Sequence, residues 1–435
     1  MQEANLIADK YEEDFDNLSS ISPEWSSDLR NKAMDTFREI GFPIQRKGNE
    51  KWKYTNARPI VNVEYSSAKF EKIDSDYIKS IAPWHESWIN ILFVNGYYQE
   101  TFSDNLSTNI QISNMASSDL DTNIFRTVGG IMDYSDDGFA ALNTAFMSDG
   151  AIITVPEGEN SGIAINLIFF NQGLSDTVNH PRVLITSGAN STVSVIENYV
   201  GGSSDRTFTN SVSEIYVGEN ATVNHYRLMK ETDDTYDVGY GRVRIDTDGT
   251  FNSRSFFRGC GIGRYDLNVS IEGENASCDL QGLYFTNDAQ HMDNFINIDH
   301  VRPNCQSNLF YKGILAGKSR AVFGGTVLVR KEAQKTESVQ SDKNLILSPY
   351  AEVDSKPALF IYADDVKCAH GATAGNIDAD TVFYMRSRGI DLEAASRLII
   401  YGFAGEIIDK VEIPELSSYL AESFLSSLPS HRFEF

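Results

Sequence analysis

The feature that most constrains this chain is a repeated unit: a polar turn followed at once by a β-rich run. GANSTVSVI, GENATVNHY, DGTFNSRSF and GENASCDLQ resemble one another. Gly188, Gly218 and Gly273 open three of them, and Gly249 sits in the fourth. Their offsets, about 25 to 30 residues, are the size of one solenoid coil. From about 150 to 365 such runs (AIITV, RVLIT, AVFGGTVLV, ALFIYA) alternate with Gly, Asn and Asp turns, without a convincing helix of ten or more residues. A unit this small cannot bury an apolar face alone, whereas coils stacked in parallel can. The rival reading is a β-sandwich of hairpins, which short strands at regular spacing also predict. Strict type I′ turns are rare in the tract, which favours the solenoid.

The flanks follow a different period. Trp25, Leu29, Ala33, Phe37 and Ile40 recur at helical spacing up to a stop at Gly41. A polar, aromatic connector, KGNEKWKYTNARPI, comes next. A weaker helical pattern covers about 74–82, and INILF at 89–93 starts β character before a VNG turn. Near the other end, Asp378 or Asp380 can cap TVFYMRSR, which stops at Gly389. Asp391 caps a helix striped by Leu392, Ala395, Ile399, Phe403 and Ile407. Pro414 opens a third, with Leu416, Leu420, Phe424 and Leu428 one turn apart. Three short helices cannot bury all their stripes on each other, and a spare apolar face docks on a neighbouring domain or a partner. The organisation expected is a helical region at 1–90, a β core at 91–376 and a helical domain at 377–435.

Composition narrows the function classes. With 41% hydrophobic residues the 435-residue chain can bury a sizeable core. Acids outnumber bases 61 to 37, a net charge of −24, which argues against a general nucleic-acid or anionic-membrane binder. No run approaches the roughly 18 apolar residues of a membrane span. MQEANLIADKYEEDFD has no apolar signal core. The four cysteines (Cys260, Cys278, Cys305, Cys368) form no CxxC pair, so a reducing cytoplasm is the expected location.

Each chemical motif competes with a plainer reading. GILAGKS (Gly313, Gly317, Lys318, Ser319) has three residues between its glycines where a phosphate loop needs four, and a strand-like run follows; it reads as a turn. RGCGIGR lacks GxGxxG spacing and reads as a loop or bulge. HMDNFINIDH puts His291 and Asp293 on one strand face, with His300 opposite Asp299; polar residues at solenoid corners explain it better than a metal. The adjacent acids Asp364 and Asp365 would point to opposite faces of a strand, a poor start for a paired acid–base site. No GxSxG elbow or HExxH helix occurs.

The sharpest constellation is YADDVKCAHGAT. On an extended strand Cys368 and His370 point the same way. A thiolate and an imidazole suit zinc, copper or an iron–sulfur unit, but two ligands fall short of a set of four, so the rest must come from elsewhere. The alternative is a buried Cys beside a structural His.

Here the chain resembles the SufB/SufD family of the SUF iron–sulfur cluster assembly machinery. The matching stretches are GLYFTNDAQHMDNFINIDHVRPNCQSNLFYKGILAGKSRAVFGGTVLV, AQKTES, NLILSPYAEVDSKPALFIYADDVKCAHGATAGNID, FYMRSRGI and YGFAGEII. Weaker matches are NEKWKYT, FVNGYY and FAALNTAFMSDGAIITVPEGE. The similarity is strong over about 280–405 and scattered over most of the rest, and KCAHGATAGNID points to the SufD branch. Phe360 departs from the pattern, standing where PxLEIYADD has an acid.

The resemblance implies a right-handed parallel β-helix between helical N- and C-terminal regions. It also implies a non-catalytic scaffold subunit that pairs with a SufB-like paralogue through the β-helix, or with itself when isolated. A SufC-type ABC ATPase would bind through the C-terminal helical domain, and this chain would bind no nucleotide. A transient iron–sulfur cluster would form at the SufB interface. His370 matches the family histidine proposed to help hold that cluster with a SufB cysteine, and Cys368 matches the neighbouring family cysteine. The competing classes are a β-helix carbohydrate-active enzyme and a purely structural homodimer.

Overall fold

The computed structural model describes residues 11–18, 24–44, 48–103, 108–117, 127–172, 175–202 and 206–427. The chain crosses back and forth between two sheets, and each strand pairs in parallel with the strand two places on. In one sheet, called here the first, Arg182–Ser187, Thr207–Val217, Tyr236–Ile245, Ile262–Ile271, His291–His300, Arg320–Val329 and Glu352–Ile361 succeed one another. In the second sheet the series is Ala164–Asn171, Thr192–Gly201, Thr222–Lys230, Thr250–Arg258, Ser277–Thr286, Gln306–Leu315, Glu337–Ile346 and Lys367–Gly375. Thr192, Thr222, Thr250, Ser277, Gln306, Glu337 and Lys367 stand in register, one above the next. This is a parallel β-helix, so the sandwich is excluded. Among the described residues, antiparallel pairs occur only where the solenoid begins: Ile89–Val94 with Tyr97–Phe102, and Gln111–Asn114 with Gly150–Val155.

The repeated turn explains the repeated sequence. Asn190, Asn220, Asp248, Asn275, Asn304 and Lys335 occupy successive coils with φ between 52° and 62°. That left-handed conformation is tolerated by Asn and Asp far better than by β-branched residues. Each turn is tied to the next by its backbone: Asn190 N–H donates to Glu219 O, Asn220 to Thr247 O and Asp248 to Glu274 O, all at 2.9 Å. Asn220 Nδ2 also donates to Asn190 Oδ1 at 2.8 Å. Between the sheets, side chains of like kind stack in columns. The rings of Phe93, Phe169 and Tyr199 lie nearly parallel with centroids 4.9 Å apart at each step.

Helices coat both outer faces. The helix α1 (Ser27–Ile40) ends at Gly41, whose φ is 61°, as the periodicity predicts. The short turn α2 (Arg58–Val61) lies in the connector, and α3 (Ser75–Ile81) is capped by Asp74. Helix α4 (Gly138–Phe146) has no counterpart in the sequence reading, because all nine residues are buried and no polar stripe marks it. It lies between α1 and the first sheet, with Arg30 Nε donating to Ala145 O at 2.7 Å.

At the other end Asp378 caps α5 (Ala379–Ser387) and Asp391 caps α6 (Leu392–Ile408); α7 spans Pro414–Ser427, and Leu428 lies outside the described residues. Of the two destinations open to the main apolar stripe of this region, a neighbouring domain or a partner, it takes the neighbouring domain. Ile400, Ala404, Ile407, Leu416, Leu420 and Phe424 cover Tyr226, Leu228, Phe256, Leu283, Phe310 and Ile314 on the outside of the second sheet. Each large side chain so covered contributes about 1.5–3 kcal/mol. Lys312 Nζ locks the contact, donating to Phe403 O at 2.7 Å and Glu406 Oε2 at 2.5 Å. The sheet takes the stripe because its own outer face is apolar and would otherwise meet water.

The turn ladder gives a direct test. Asn220→Val should cost roughly 1–2 kcal/mol, since a β-branched residue resists φ near +52°. Asn220→Gly should cost less. Denaturant midpoints of the two variants against wild type measure the difference.

Candidate functional site

The two ends of the solenoid differ. Antiparallel strands close the N-terminal end, but Glu352–Ile361 and Lys367–Gly375 are the last members of their sheets, and among the described residues nothing pairs with their outer edges. Both terminal strands are largely exposed. Phe360 on the first of them and Tyr362 just after it are 51% and 65% exposed.

Cys368 and His370 lie on the terminal strand of the second sheet. Register puts Cys368 over Ser338 and His370 over Gln340. Ser338 and Gln340 are both buried between the sheets, so the thiol and the imidazole share the inward face, as alternation predicts. Cys368 is half-buried against the core, whereas His370 is exposed because no coil lies above it. Burial pushes the Cys368 thiol up, against a backbone hydrogen bond from Ser338. The sulfur therefore becomes a good ligand only when a metal or a cation displaces its proton. Among the described residues no three His, Cys, Asp or Glu side chains converge to hold a metal.

The rung beneath is polar. His300 Nε2 lies 2.9 Å from Ser307 Oγ, which lies 2.8 Å from Ser338 Oγ. Tyr284 donates to Asn344 Oδ1 at 2.6 Å, and Asn344 Nδ2 and Ser355 Oγ both donate to Asp342 Oδ2 at 2.7 Å. Burial raises the Asp342 carboxyl to about 6, against those two bonds. Asp342 Oδ1 and both amide atoms of Gln340 have no partner. The sequence reading missed this floor. In ESVQSDKNLI the row Ser338, Gln340, Asp342 and Asn344 looks like a solvent face, yet it points inward.

The remaining motifs settle into structural roles. His291 and Asp293 do share a face, but neither sits at a solvated corner. Thr55 Oγ lies 2.9 Å from His291 Nε2 and 2.5 Å from Asp293 Oδ2, and Asp293 also pairs with Arg264. Arg264 in turn lies 4.4 Å over the Trp52 ring, so the cluster pins the KWKYT connector to the first sheet. His300 points inward, and Asp299 pairs with Arg330 at 2.6 Å. GILAGKS spans a strand end and a turn, with Gly317 at φ 63°, and the strand Arg320–Val329 follows. Gly259 and Cys260 of RGCGIGR form a turn with φ of 81° and 77°. Asp364 and Asp365 lie in the bend between the terminal strands rather than on a strand.

A parallel β-helix with an open final coil and helices on both sheet faces defines the class of protein. The sequence model described as SUF system FeS cluster assembly, SufBD core domain matches residues 169–403, and that of the SufBD protein N-terminal region matches residues 1–167. The chain is 30% identical over 393 residues to the iron-sulfur cluster assembly protein SufD of Escherichia coli, covering 89% of this chain and 90% of the relative. It is 29% identical over 407 residues to an iron-sulfur cluster assembly SufBD family protein of Synechocystis, covering 90% and 89%. With SufD of Bacillus subtilis it shares 26% over 437 residues, covering 92% and 93%. The chain belongs to the SufB/SufD family, and its role lies in SUF iron–sulfur cluster assembly.

Asp342 supplies a pH test. Its folded-state value of about 6 stands above the ordinary carboxylate value of 3.8, so between these the folded chain holds a proton that the unfolded chain has lost. Stability therefore falls as pH rises across that window, by roughly 3 kcal/mol, and stays lower above it. Asp342→Asn keeps an acceptor for Ser355 and Asn344 and should remove the fall. Melting temperatures of variant and wild type should agree near pH 4, with the variant higher at pH 7.

Proposed function

We propose that this chain is a non-catalytic scaffold subunit. It pairs through its open terminal coil with a SufB-like paralogue, and a nascent iron–sulfur cluster is assembled between the two. The observation that carries the reading is the juxtaposition of Cys368 and His370 on the inward face of an unpaired edge strand. An open edge offers a row of N–H and C=O groups to a second strand. Two ligands hold iron incompletely, so the cluster needs the partner's ligands to form and is free to leave when the partner moves. The cluster is cargo here. A neutral imidazole holds iron less tightly than another thiolate, which favours release.

The SufC-type ABC ATPase docks on the C-terminal helical domain, and nucleotide chemistry belongs to that partner. Although the main stripe is used on the second sheet, Phe383, Tyr384 and Leu398 of α5 and α6 remain 72%, 59% and 54% exposed. They are the apolar surface available to it. The reading places the protein in the cytoplasm; among the described residues no helix is long and apolar enough to cross a membrane. Isolated, the chain can pair its open edge with a second copy.

Two experiments test these assignments. His370→Ala should leave the partner complex at wild-type yield and shift stability by only a few tenths of a kcal/mol, since the side chain is exposed. Cluster assembly in cells should nevertheless fall sharply, with Cys368→Ser the milder change. Normal assembly by an intact His370→Ala complex would end the ligand reading. Separately, a Phe383→Ser, Leu398→Ser double variant should keep its melting temperature while the ATPase no longer co-purifies. Undiminished co-purification would move that contact elsewhere.

A further inference from the structure

Among the described residues at the open end, Gln340 is the one whose side-chain polar atoms are all buried and wholly unused. Gln340 is 1% exposed, and neither Oε1 nor Nε2 has a partner. A polar group left so costs stability, and a side chain of that kind in a packed interior calls for a reason. Its slot is shaped for it. Nε2 lies against the bare Cα of Gly325 across the interior, where any Cβ would collide with it. The only rung above Gln340 is His370, its in-register neighbour on the terminal strand. Side chains so paired stand about 4.8 Å apart and share a face. The other polar groups facing this space are Ser338, already bonded to Ser307, and Asp342 with Ser355, bonded to each other through Oδ2. Cys368 lies two residues along the same strand.

We infer that Gln340 is a positioning residue for His370: the imidazole, not bonded to it in this structure, turns down onto the vacant amide oxygen, which accepts its N–H, fixes the tautomer and turns the other ring nitrogen's lone pair toward iron. The inference rests on the ligand reading of His370. A metal-bound histidine is oriented by whatever its second nitrogen bonds, and removal of such a partner typically costs 10–100-fold in affinity or activity. Among the described residues, Gln340 is the side chain that stands in register beneath the His370 ring. Gln340 does not touch the cluster.

The test uses the full chain, ¹⁵N-labelled at histidine. The chain has seven histidines, so the His370 signals are assigned by their loss in His370→Ala. In wild type the ring nitrogens of His370 should report one dominant tautomer. Gln340→Met has similar length and no acceptor amide. It should give a mixture of tautomers while the melting temperature holds or rises, because two unsatisfied atoms have been removed. Gln340→Glu keeps an acceptor and should restore the single tautomer. Gly325→Ala, which pushes the amide from its slot, should mimic Gln340→Met. In the complex reconstituted with its partner subunits, Gln340→Met should lower the yield of assembled cluster about tenfold at unchanged complex yield. An unchanged tautomer pattern in both Gln340→Met and Gly325→Ala would overturn the proposal. So would a pattern that shifts while cluster yield stays at the wild-type level. Should His370→Ala itself assemble clusters normally, the ligand reading fails instead, and the tautomer result still decides whether Gln340 holds the ring.

Discussion

Everything in this molecule depends on one repeated constraint: parallel strands stacked in register, each coil held to the next by backbone hydrogen bonds and by turns in the left-handed region. Register is strict because a slip of one residue would exchange the inward and outward faces of a strand. The turn residues at 190, 220, 248, 275, 304 and 335 act as pins, fixing where each strand begins. Once they are fixed, like residues stack on like, and a column of side chains becomes the unit of packing. The aromatic column of Phe93, Phe169 and Tyr199 is one result. The column of Cys368 over Ser338, beside His370 over Gln340, is another.

Stacking also creates the functional problem. A parallel solenoid has two ends with unpaired edges. Here antiparallel strands close the first, while the second remains open and carries the thiol and the imidazole. Helices cover the outer faces instead. On the first sheet, buried ion pairs between neighbouring strands reach out to the covering elements: Arg182, paired with Glu214 at 2.6 Å, donates to Asn143 of α4, and Asp293, paired with Arg264, accepts from Thr55 of the KWKYT connector. Such pairs contribute little net stability, but breaking one would strand a charge in the interior, so they specify one docking geometry. On the second sheet α6 and α7 are held mainly by apolar contact, with Lys312 bridging to Phe403 and Glu406. The apolar grip is the less directional of the two.

Much of this was legible in the sequence. The GENAT-type turns announce a solenoid because few residues accept positive φ, and their spacing gives the coil. The caps Asp378 and Asp391 and the stop at Gly41 were readable for the same reason: each is a local backbone requirement met by few residue types. The two-residue step from Cys368 to His370 settled that they share a face. Helix α4 escaped notice because a helix buried on every side has no amphipathic period. The destination of the C-terminal stripe was likewise hidden, since an apolar face does not say which apolar surface will cover it.

The sequence by itself thus determined the elements that local chemistry dictates: coil length, turn positions, caps, and the shared face of the candidate ligands. Tertiary structure decided which face looks inward, which end stays open and which side chains lie beneath the site. Ser338, Gln340, Asp342 and Asn344 look like a solvated row in the sequence, and only the closing of the second sheet over the first buries them. Alternation along a strand is a local property. Inside and outside are set by what packs against it, and that is known only once all the coils are in place.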